Sequence, residues 1–169
     1  MKSRLIKYSG SKVITVSGSA SGAGKTSTVE RLLDMLKGWS CLKVTVLHDG
    51  QCPTKRNCGA CAAFDSDFRI VSEKSVIEEK GKDTNRFKKK GAKKVLWLKA
   101  KPKGLEQGLR KALSMFKGAK GIIIEGTSVI KYIKPDFSIF VLRKGSNLKP
   151  SAKEILNKVD LILNSPFTQ

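Results

Sequence analysis

Acidic side chains are scarce in this chain: 34 lysines and arginines face only 14 aspartates and glutamates across 169 residues, a formal net charge of +20. Histidine is reduced to one residue, and tryptophan and tyrosine contribute two each. No long uncharged apolar run is present, which excludes a membrane-spanning helix. The segment Met1-Lys2-Ser3-Arg4-Leu5-Ile6-Lys7 lacks the apolar stretch and small-residue cleavage site of a signal peptide, so the expected location is the cytoplasm. Internal repeats and Pro/Gly/Ser-rich linkers are also missing. One domain spanning residues 1–169 is therefore expected, long enough to bury a real core. The positive excess attracts phosphates, nucleic acids and acidic proteins. Yet the lysines are scattered from Lys74 to Lys103 and again at Lys111, Lys117, Lys120, Lys131 and Lys134. They are not interleaved with stacking aromatics, so a solvated lysine-rich surface is the simpler reading and a nucleic-acid partner ranks last.

What the chain does have is a phosphate-binding turn. Ser19-Ala20-Ser21-Gly22-Ala23-Gly24-Lys25-Thr26 follows the apolar run Val13-Ile14-Thr15-Val16 and opens a helix-like stretch from Thr28 to Leu36. Strand, glycine-rich turn, Gly-Lys-Thr and helix are the context of a P-loop. Glycines let successive N–H groups converge on one point, and the helix start adds its positive dipole end. Ser21, Gly22, Ala23, Gly24, Lys25, Thr26 and Ser27 are the candidate phosphate contacts. Lys25 would reach the β- and γ-phosphates, and the Thr26 hydroxyl would ligate Mg²⁺. One position departs from G-x-x-x-x-G-K-[ST]: Ser19 stands where glycine is usual, and the glycine comes one step earlier, at Gly18.

Short β-branched runs alternate with amphipathic stretches of helical length. Strands are expected at 12–17, 42–47, 67–72, 94–98, 121–125, 137–142 and 160–164. Helices are expected at 26–37, 74–80, 83–90, 104–117 and 150–158. This order predicts an α/β P-loop NTPase fold, a mostly parallel sheet with helices on both faces, in which ligands bind at the carboxyl ends of the strands. Two strand ends carry acids there, Asp49 after 42–47 and Glu125 after Ile122-Ile123-Ile124. Either can serve the Mg²⁺ shell, and Lys25 and Glu125 are the catalytic candidates. Asn157-Lys158-Val159-Asp160 imitates the guanine-selecting N-K-x-D string, but it follows a helix-like segment and precedes its strand, which marks it as a decoy. Asn164, after the last strand, is better placed to meet a base.

Three of the four cysteines fall in one segment with the only histidine. His48, Cys52, Cys58 and Cys61 form H-x₃-C-x₅-C-x₂-C within a loop expected over 48–63. Four soft ligands at this spacing suit Zn²⁺ or, with another ligand, an iron–sulfur cluster. In a reducing cytosol disulfides are the lesser use.

The order of motifs resembles molybdopterin-guanine dinucleotide biosynthesis protein B, a small GTP-binding P-loop family of molybdenum cofactor maturation. The resemblance rests on the P-loop, His48-Asp49, Asp83-Thr84-Asn85-Arg86-Phe87 with Gly91-Ala92, Ile124-Glu125-Gly126, and Lys134-Pro135 leading to Arg143. It implies Mg²⁺ and GTP as cofactors, phosphate contacts from Gly22, Gly24, Lys25 and Thr26, and a metal shell containing Asp49 and Glu125. It also puts Arg86 near the phosphates or substrate. Read from the residues alone, Asp83 and Arg86 form an i,i+3 helix pair. The cysteine loop and the segment 149–164 have no counterpart in the resemblance. Three functions remain open: an accessory GTPase with a cofactor-maturation partner protein or as a homodimer, an ATP-dependent small-molecule kinase, and a metal-handling NTPase using the cysteine loop.

Overall fold

A computed structural model describes residues 5–47, 65–145, 147–148 and 150–165 of the chain. Seven strands among them form one sheet: β1 (Lys12–Gly18), β2 (Ser40–Val46), β3 (Phe68–Val71), β4 (Val95–Ala100), β5 (Gly121–Glu125), β6 (Phe137–Leu142) and β7 (Leu161–Asn164). The order across the sheet is β3-β4-β2-β5-β1-β6-β7. Every pairing is parallel except β3 against β4, which is antiparallel. The helices are α1 (Lys25–Met35), α2 (Lys74–Ile77), α3 (Asp83–Lys89), α4 (Leu105–Ser114) and α5 (Pro150–Lys153).

The alternation of side chains along the strands explains the layers. Ile122 and Ile124 of β5 join Leu42, Leu96 and Leu98 beneath α4, whose Leu105, Leu109, Ala112 and Leu113 recur at helical spacing. Ile123 turns the other way, with Cys41, Val95 and Trp97, and meets Val29 and Leu33 of α1 and Phe87 of α3. Because both faces are covered, β5 is buried along its whole length, and Glu125 at its end is carried inside with it. Glu125 shares the α1/α3 face with Ile123, which directs it towards the turn that follows β1.

Some boundaries differ from the sequence expectation. The stretch 150–158 is one α-helical turn followed by a 3₁₀ turn, Leu156–Lys158. The helix expected over 104–117 ends at Ser114, preceded by a 3₁₀ turn, Pro102–Gly104. A further 3₁₀ helix, Thr127–Lys131, follows β5. These segments are one to two turns long, too short for helical periodicity to mark their ends. No helix among the described residues is long and apolar enough to cross a membrane.

Candidate functional site: the P-loop cavity

The chain leaves β1 at Gly18 and enters α1 at Lys25. Between them Gly22 and Gly24 take φ values of +73° and +97°, the left-handed region that glycine reaches without strain. The Gly24 carbonyl accepts the Thr28 N–H and the Thr28 hydroxyl, each at 3.0 Å, and so fixes the first turn of α1. Among the described residues no side chain caps this helix, and its first turn carries no acid, which leaves its N–H groups open to an anion.

The local packing accounts for the shifted glycine. A Cβ on Gly18 would stand 2.9 Å from Cγ of Lys25, because the lysine stem lies across the end of β1 on its way to the Ala20 carbonyl, which its Nζ reaches at 3.1 Å. Ser19 is fully buried and structural. Its N–H donates to the Val141 carbonyl at 3.0 Å, and its Oγ accepts the Arg143 N–H at 2.9 Å. Ser19 therefore continues the β1–β6 pairing, and the close approach that requires glycine falls at Gly18. The Thr127 hydroxyl closes the other side, donating to the Gly18 carbonyl at 3.2 Å and accepting the Gly18 N–H at 3.3 Å.

A cavity of about 740 Å³ opens above this turn. Ser21, Gly22, Gly24, Lys25, Thr26 and Ser27 form one wall. Lys43, Thr45, Asp83, Arg86 and Glu125 face them, with Thr127 and Ser128 at the end of β5. Ala23 does not reach the cavity, because its side chain is fully buried beneath the turn.

Glu125 is only 6% exposed, and its Oε2 has no hydrogen-bond partner among the described residues. Lys43 Nζ stands 3.7 Å from it, an ion-pair contact too long for a hydrogen bond. Burial pushes the Glu125 carboxyl above its ordinary range, while the charges of Lys43 and Lys25 act against that push. Lys43 also contacts the Asp83 carboxylate at the start of α3. Arg86, one turn further along α3, is gripped by Glu30 of α1 through Nε at 2.9 Å and Nη2 at 2.7 Å, and it reaches the Ser27 hydroxyl at 3.5 Å. Its expected i,i+3 partner, Asp83, is at 4.0 Å. Arg86 thus ties α3 to the P-loop helix more than it braces its own helix, and the paired carboxylates hold its guanidinium in the charged form.

The oxygens of Thr26, Glu125 and Asp83 are hard donors of the kind Mg²⁺ takes, and the unpartnered Glu125 oxygen is a place such a cation would satisfy. No cluster of three or more His, Cys, Asp or Glu residues occurs among the described residues, so nucleotide phosphates would have to complete the coordination. Asp49, the other expected Mg²⁺ ligand, lies outside the described residues, as do His48, Cys52, Cys58 and Cys61. The fourth cysteine, Cys41, is buried in the sheet, and burial pushes its thiol far above the ordinary range, an inert core position.

The two base-reading candidates separate cleanly. Asp160 sits at the amino end of β7, where its carboxylate accepts the N–H and hydroxyl of Ser138 in β6. That is the end of the sheet opposite the P-loop, away from the cavity. Asn164 ends β7 on the P-loop side, paired in register with Leu142, but it does not line the cavity. Sequence reasoning missed Lys43, Glu30, Thr127 and Ser128. Thr127 and Ser128 directly follow Glu125-Gly126 and could have been found from that position. Lys43 interrupts an apolar strand, and that interruption was its only signal.

Among solved structures, the chain is similar to LpxK from Aquifex aeolicus in complex with ATP, with a TM-score of 0.59 at 18% identity over 98% of this chain and 53% of that one. The chain thus spans about half the length of that structure, and the likeness defines the fold: an α/β P-loop NTPase fold. No protein-family model matches the chain, and no curated protein matches it.

Proposed function

We propose that this chain binds a Mg²⁺–nucleoside triphosphate in the P-loop cavity, with ATP as the nucleotide, and cleaves or transfers its terminal phosphate. The observation that carries the reading is the convergence of Lys25, Thr26 and Glu125 on one cavity at the carboxyl end of the sheet. Phosphoryl transfer needs positioning and charge neutralisation more than covalent chemistry. The turn from Ser21 to Thr26 would cradle the phosphates with backbone N–H groups. Lys25 would leave the Ala20 carbonyl for the β/γ bridge. Thr26 and Glu125 would hold the Mg²⁺, which supplies charge neutralisation between the β- and γ-phosphates when bound. ATP is preferred over GTP because the only guanine-motif string spends its aspartate on Ser138 and because the fold neighbour is a complex with ATP.

One observation favours a second reading, the accessory GTP-binding role in molybdenum cofactor maturation. Asp83 and Arg86, which carry part of that resemblance, do border the cavity. Titration calorimetry with non-hydrolysable ATP and GTP analogues and Mg²⁺ separates the two. Selective ATP binding supports the first reading. Selective GTP binding overturns it in favour of the second and brings Asn164 back as a base contact.

A further inference from the structure

Lys43 is the cavity residue that a P-loop does not require. It stands inside β2, between Leu42 and Val44, and the β2–β5 register sets it directly beside Glu125. Strand alternation sends it to the face of Cys41 and α1, towards the phosphate turn. Its ammonium, 19% exposed along with its stem, lies between the carboxylates of Asp83 and Glu125. Two facing carboxylates, one of them buried, would repel strongly without a cation, and a dication is what such a pair ordinarily collects. Here the chain itself supplies the cation.

We propose that Lys43 is a tethered counter-cation that closes the Asp83–Glu125 pair to free divalent metal, so that Mg²⁺ enters the cavity only as its nucleotide complex. The proposal rests on the reading of the cavity as a Mg²⁺–nucleotide site. Lys43 offsets one of the two negative charges of the Asp83–Glu125 pair, beside Arg86 at 4.0 Å from Asp83, and its ammonium contacts both carboxylates that a metal would need. Coulomb repulsion from that ammonium opposes a bare dication in a poorly screened site. A nucleotide reverses the balance, because its phosphates bring their own negative charge and their own oxygen ligands. Lys43 thereby makes metal binding conditional on nucleotide, and it is a residue that sets cation specificity at this site.

The test is Mn²⁺ binding to the full chain without nucleotide, read by electron paramagnetic resonance. Lys43→Met is expected to gain a Mn²⁺ site roughly tenfold or more tighter than the wild type shows. Adding Glu125→Gln to Lys43→Met should abolish that site, which separates it from any binding elsewhere in the chain. Lys43→Arg keeps the cation and should gain nothing. Lys43→Gln serves as the neutral variant if the methionine variant does not fold. The proposal is overturned if neither neutral variant gains Mn²⁺, if the gain survives Glu125→Gln, or if the wild type already binds Mn²⁺ in a Glu125-dependent way. Failure of the nucleotide reading would show separately, as absent nucleotide binding, because this measurement contains none.

Discussion

Two short strings in this chain look like nucleotide motifs, and the fold treats them oppositely. Gly24-Lys25-Thr26 opens a helix one turn after the strand β1, at the end of the sheet where carboxyl termini and helix starts gather. Asn157-Lys158-Val159-Asp160 precedes its strand, so the same kind of side chains arrive at the other end. There Asp160 fastens β7 to β6 through Ser138. Four letters decide little by themselves. Which side of a strand they fall on decides whether they line the cavity at the carboxyl end of the sheet or close a strand pair.

Substitutions can break this contrast. The largest effect after loss of Lys25 itself is expected at Gly18. Gly18→Val drives a side chain into the stem of Lys25, so nucleotide affinity should fall by roughly tenfold or more, read by calorimetry. Unchanged affinity would show that the lysine stem has another path.

Glu125→Gln should separate stability from function. The buried carboxyl titrates above its ordinary value of 4.5, so the folded state holds a proton that the unfolded state has released. Its ionisation therefore lowers stability progressively as pH rises through the window above 4.5. The glutamine removes that penalty. The melting temperature should rise relative to wild type at neutral pH, with the gain fading as pH falls below 4.5, while Mg²⁺-dependent nucleotide affinity drops. Thermal melts across pH check the first half, and a lower melting temperature at neutral pH would contradict it.

The smallest effect belongs to the decoy. Asp160→Ala deletes the acceptor for two Ser138 donors and should cost about 1–2 kcal/mol of folding stability with nucleotide affinity unchanged. A loss of GTP affinity in that variant would restore the motif to a functional role.

The sheet was legible because it repeats a strong signal. The mostly buried apolar runs Val13–Val16, Ile122–Ile124 and Ile139–Val141 stand out along the chain, and the amphipathic spacing of α4 is unambiguous. The phosphate turn was legible because its chemistry is local. The rest of the cavity was not, because its contacts cross the chain. Arg86 and Glu30 are 56 residues apart, and Lys43 and Asp83 are 40 apart. Only the β2–β5 register and the packing of α3 on α1 bring them together, and no window along the sequence encodes either. Ser19 taught the reverse lesson. A departure from the motif at one position proved to be a one-residue transfer of the glycine requirement to Gly18, visible only once the path of Lys25 was known.

The most direct test compares Mg²⁺–ATP binding by the wild type and Lys25→Ala in the same calorimetric titration, with melting curves for both. Loss of at least about a hundredfold in affinity with an unchanged melting temperature is the predicted result. Full-strength nucleotide binding by a folded Lys25→Ala variant would contradict the assignment of this cavity to phosphate.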